Sequence, residues 1–114
     1  MRKKFLFVTS LIVILICGCE SKTDKTLREV TDLKEQYIKD IDNAKTKEEV
    51  LKITQEHNER MEFEMGKLSE EDKKEYEKSH SWEEMKQLRD EQDRLNKGAV
   101  DARNRARERF RNNQ

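Results

Sequence analysis

With 114 residues, 25 basic and 25 acidic side chains and no proline, the chain has room for one small domain and is formally neutral. Charged residues make up 44% of it and glycines number three, a composition of helices rather than of strands and turns. The cysteines are Cys17 and Cys19 alone, which excludes a disulfide framework or a thiolate metal centre in the remainder.

The chain opens with a cationic tip, Met1-Arg2-Lys3-Lys4, followed by an uninterrupted apolar run from Phe5 to Ile16. Positive charge ahead of a short apolar helix is what a secretory signal peptide requires. The run of roughly 12 residues falls short of the ~20 that span a bilayer permanently, so residues 1–18 are expected to be cleaved. Ile16-Cys17-Gly18-Cys19 resembles the lipobox of bacterial lipoproteins: an aliphatic residue, a small residue, Gly or Ala, then the cysteine that is modified. Cys17 departs from the commoner Ala, Ser or Thr but is small enough to fit. The resemblance implies cleavage after Gly18, a diacylglycerol on the Cys19 thiol and a further acyl group, often palmitate, on the new amino terminus. Several acyl chains on one residue anchor stably where a single chain holds only marginally. The resemblance also implies export and a bacterial membrane location. In that family Asp after the lipidated cysteine retains the protein in the inner membrane of enterobacteria, so Glu20 points to the outer membrane in a diderm organism.

Residues 19–25 are polar and unpatterned and are expected to form a short tether to a helical domain over residues 26–114. A first helix is predicted from Thr26 to Ala44, because Leu27, Val30, Leu33, Tyr37, Ile38, Ile41 and Ala44 recur at threes and fours. Thr46-Lys47-Glu48-Glu49 is a capping box that opens a second helix. Its stripe runs through Val50, Ile53, Thr54, His57, Met61, Met65 and Leu68. The short break between the two predicts antiparallel neighbours. Ser69-Glu70-Glu71-Asp72 reads as a further N-cap, opening a lightly held helix or connector to Lys78. A third capping box, Ser81-Trp82-Glu83-Glu84, opens a helix whose stripe is Trp82, Met85, Leu88, Gln92, Leu95, Ala99, Ala102, Ala106 and Phe110. Lys97-Gly98 is a point where this helix would end or bend, and its alanine-rich last turns are expected to project past the bundle. The fold class is all-α, an elongated antiparallel helical hairpin or three-helix bundle. So few sizeable apolar residues predict a marginal monomer that homo-oligomer formation would support.

Little here points to catalysis. The acids from Thr46 to Glu84 lack the burial or pairing that tunes a catalytic carboxylate, and the pattern of a Ca²⁺ loop; they read as a solvated helix face. Neither histidine has a nucleophile signature around it, and there is no Gly-rich phosphate loop. His57, Met61 and Met65 at helical spacing form a soft-ligand pattern of the kind that takes Cu(I). The same three lie in the apolar stripe, and packing is their expected role; no metal or cofactor is expected. Arg103, Arg105, Arg107, Arg109 and Arg111 fall alternately on two flanks of the last stripe. They make a cationic end suited to anionic lipid or an acidic envelope protein, with no nucleic acid expected outside the cytoplasm. The expected function is that of a small, non-enzymatic, membrane-anchored envelope lipoprotein acting as a binding or structural adaptor. The alternative is a periplasmic helical stress chaperone or copper responder.

Overall fold

The computed structural model describes residues 21–112, which form four α-helices: α1 (Lys22–Asn43), α2 (Lys47–Met65), α3 (Glu70–Ser79) and α4 (Trp82–Asn112). No strand occurs among the described residues, and the fold is all-α. The lipobox, with Gly18 and Cys19, and the following Glu20 lie outside them. No helix of the described residues is long and apolar enough to cross a membrane.

Each helix starts on a hydroxyl that accepts a hydrogen bond from a backbone N–H left unpaired by the first turn. Ser21 Oγ accepts from Asp24 N at 3.1 Å, so the chain is already helical from Lys22, inside the stretch expected to be tether. Thr46 Oγ1 accepts from Glu49 N at 3.1 Å, while the Glu49 carboxylate reaches past the cap to Lys45 N at 2.7 Å. Ser69 with Asp72 and Ser81 with Glu84 form complete boxes, both reciprocal bonds being present in each. The N–H groups of Ser69 and Ser81 hold these two carboxyls below their usual range. A capping residue is worth ~1 kcal/mol, which explains why α3 is helical although Tyr76 is its one sizeable apolar group.

The contacts give the topology. Tyr37 Oη meets Thr54 Oγ1 at 2.8 Å, across an antiparallel α1–α2 pair. Gln92 donates to Thr31 at 3.0 Å, Arg103 to Tyr37 at 3.3 Å and Arg105 to Asp42 at 2.9 Å. Those partners advance together, so α4 runs parallel to α1. Short α3 contacts the first turn of α1, where Lys22 Nζ lies 3.5 Å from Asp72. Helix α1 is therefore the spine: it packs along both α2 and α4, which have no comparable packing against each other. The result is an elongated three-helix bundle, about 52 Å in its longest dimension.

The main core cluster is Tyr37, Ile41, Ala102 and Ala106, with Ile38, Val50, Ile53, Ala99 and Phe110 against it. This corrects the reading of α4's last turns as a projection. Ala102 and Ala106 are 0% and 1% exposed, and their small side chains let the two helix backbones approach. Gly98 does not end the helix, which continues through it. A Cβ there would sit 2.9 Å from Ile38 Cδ1, so glycine marks a close approach between α4 and α1. Trp82, expected in the buried stripe, is 71% exposed. Counting back along both helices from the Gln92–Thr31 pair puts it level with Ser21, the N-cap of α1, and so outside the helical stretch of α1 that covers the rest of the stripe.

The close approach at Gly98 yields a stability prediction. Gly98→Leu overpacks the contact at a cost of roughly 1–3 kcal/mol, lowering the thermal midpoint by about 5–20 °C. Gly98→Ala meets only the movable tip of Ile38 and gains ~1 kcal/mol of helix propensity, so its midpoint stays within a few degrees. Melts followed by circular dichroism check both; an unshifted Gly98→Leu protein would contradict the packing.

Candidate functional site

The five arginines from Arg103 to Arg111 divide by flank, and the flanks do different things. Arg109 Nη2 donates to Ile41 O at 2.9 Å and Ala44 O at 3.0 Å. Those carbonyls close α1, whose own last turn carries no basic residue. The cation that suits a helix C-terminus thus comes from a neighbouring helix. Arg105 grips Asp42 with two nearly parallel bonds, Nε to Oδ1 at 3.0 Å and Nη2 to Oδ2 at 2.9 Å. Both side chains keep contact with solvent, at 53% and 38% exposure, so the pair sets geometry more than it adds stability. Arg103 donates to Tyr37 Oη, with its guanidinium 5.9 Å from the ring centroid.

Arg107 and Arg111 do not engage α1. Their hydrogen bonds stay within α4, to Asn104 at 3.5 Å and Glu108 at 3.2 Å. With Arg103 they stand one helical turn apart along the wall of a groove of ≈ 570 Å³ between α2 and α4. The groove exists because those helices each pack on α1 and leave a gap between them. Val50, Leu51, Ala106 and Phe110 supply its apolar surface, and Lys47 faces the arginines from the α2 side. No carboxylate lines it. Leu51, outside the stripe predicted for α2, is 70% exposed at this groove.

Where this pole sits matters as much as its charge. It is built from the end of α1, the start of α2 and the end of α4, so it lies at the far end of the bundle from Ser21. Helix α1 has 22 residues, and at ~1.5 Å per residue it separates the two ends by about 33 Å.

The chain matches no protein-family model, no curated protein and no solved structure.

The soft-ligand residues lie elsewhere. The His57 ring stacks on Tyr37, with centroids 4.3 Å apart and planes at 29°; Met61 and Met65 are half-buried further along α2. Desolvation lowers the His57 pKa first, and Lys34, Arg103 and Arg60 lower it further. A site that disfavours a proton through three nearby cations also disfavours a metal ion. The described residues contain no group of three or more His, Cys, Asp or Glu side chains placed to hold one.

Two features of this region were not anticipated from sequence: the Tyr37 contacts and the capping role of Arg109. The one available signal for the second was an α1 C-terminus with no cation of its own.

The His57 environment makes stability depend on pH. Its folded pKa lies below the ordinary 6.5, so the neutral ring favours the folded state. That contribution is complete above the unfolded value and is lost as pH falls through the window below it. Urea midpoints should drop between about pH 7.5 and about pH 5.5, and the slope should flatten in His57→Gln. Equal slopes would show that the ring is not held neutral by its surroundings.

Proposed function

We propose that this protein is a lipid-anchored bacterial envelope lipoprotein that acts by binding, as an adaptor, without catalysis. Cys19 holds it in the membrane, the outer one in a diderm organism, and the arginine pole presents positive charge to an anionic lipid surface. The anchor rests on the residues from Met1 to Cys19. In this reading Glu20 and Ser21 alone separate the lipidated residue from the first turn of α1, so the bundle is kept close to its membrane.

The observation that carries the binding role is the disposition of Arg107, Arg111 and Lys47. They share a groove without carboxylates, at the end of the bundle opposite the anchor. Arginines needed only to close α1 are already accounted for by Arg105 and Arg109. A cationic surface about 33 Å from the anchored end suits contact with a second surface better than contact with the anchoring one. The copper-responder reading lacks comparable support, given the cations around His57.

Truncation is a poor test, because removing residues 98–114 would also remove Ala102 and Ala106 from the core. Point substitutions avoid this. The lipidated chain in phosphatidylcholine vesicles should cluster them with phosphatidylglycerol vesicles, measured by light scattering, and added salt should weaken the effect. Arg107→Gln/Arg111→Gln should abolish clustering while moving the thermal midpoint by no more than a few degrees, since both side chains bond only within α4. Clustering that survives the double substitution, or that never occurs with anionic vesicles, overturns the proposal.

A further inference from the structure

We infer that the groove between α2 and α4 takes one acyl chain of an anionic amphiphile, with its headgroup on the guanidiniums of Arg107 and Arg111. This rests on the anionic-surface reading and adds an apolar half to it. A surface that met headgroups by charge alone would need only exposed cations. Here the cations stand around a depression whose surface comes from Val50, Leu51, Ala106 and Phe110. Its volume of ≈ 570 Å³ falls within the ~300–1,000 Å³ typical of small-molecule sites, where apolar walls hold the ligand and a few polar groups orient it.

The alternatives fit less well. Inorganic phosphate would use the rim and leave the apolar surface in water. Thr54 is the one uncharged polar side chain in the lining. An acidic amphipathic helix would match the charge but not the length. From Arg103 to Arg111 the groove wall extends about 12 Å, whereas a recognition helix of ~12 residues is about 18 Å long. Part of that helix would be ordered without contact to offset the cost. A hydrocarbon chain has no backbone to satisfy, and although longer than the wall when fully extended it can bend through gauche bonds to use the groove's volume. The opposed walls, with Lys47 on α2 and the arginines on α4, place positive charge at the mouth on both sides, where a carboxylate or phosphate headgroup would stay in contact with water.

Photo-crosslinking of the full chain tests this. The lipidated protein, held in phosphatidylcholine nanodiscs, is irradiated with a hexadecanoate carrying a mid-chain diazirine, and adducts are mapped by mass spectrometry. Adducts are expected on peptides containing Val50 and Leu51 and on those containing Ala106 and Phe110. Hexadecyl phosphate should compete them away, and inorganic phosphate at equal concentration should not. Arg107→Gln/Arg111→Gln should cut their yield about tenfold, the effect of removing charge-assisted contacts. Leu51→Asp, at a position already exposed, should cut it comparably while the melt is unchanged. Three results would overturn the inference: labelling spread equally over Phe63 and Trp82, equal competition by inorganic phosphate, or displacement only by an acidic amphipathic peptide. Vesicle clustering that depends on Arg107 and Arg111 but is accompanied by any of these would leave the anionic-surface role standing and remove the acyl chain alone.

Discussion

Tyr37 is the point at which three helices are tied together. Its hydroxyl shares a hydrogen bond with Thr54 of α2 and accepts one from Arg103 of α4, while its ring stacks on His57. The residue is 2% exposed, and a buried hydroxyl left without a partner costs about 1–3 kcal/mol. Here the polar end is satisfied from both neighbouring helices, and no buried side-chain nitrogen or oxygen among the described residues lacks a partner. One residue of α1 therefore sets the register of α2 and of α4 together. The groove follows from this arrangement, since two helices seated on a common spine need not close on each other.

The same constraint explains the division among the arginines. At a spacing of two, the five guanidiniums must alternate between two flanks of α4, which the sequence pattern already implied. Only the docked geometry says which flank meets the end of α1. Arg105 and Arg109 are absorbed there, in an ion pair with Asp42 and as a cap on the carbonyls of Ile41 and Ala44. Arg107 and Arg111 fall on the other flank, where Arg107 bonds the neutral Asn104 and Arg111 pairs with Glu108 in an exposed contact that water and salt screen. A count of basic residues would treat all five alike, whereas the structure gives them two kinds of work.

Much of the helical framework was legible because periodicity and capping are local signals. Thr46, Ser69 and Ser81 open α2, α3 and α4 through bonds that reach only three or four residues along the chain. The misjudged features all depend on a partner remote in sequence. Gly98 reads as a helix breaker in isolation and becomes a close contact only when Ile38 stands opposite it. Alanines at 102 and 106 look like a fading stripe until α1 lies against them. Trp82 looks like a core anchor until the length of α1 runs out beside it. Ser21 is the exception, a local cap that was overlooked because the residues around it carry no apolar pattern.

If Tyr37 and Arg109 clamp the arginine-rich end of α4 to the spine, that end is part of the folded core and not a tail. Native-state hydrogen exchange resolved by residue is the most direct measurement. The account predicts that amides from Ala99 to Arg109 are protected to the same extent as those from Leu33 to Ile41, and exchange with them in one cooperative opening. Exchange of residues 99–109 as a freely fraying terminus, while 33–41 remain protected, would contradict it.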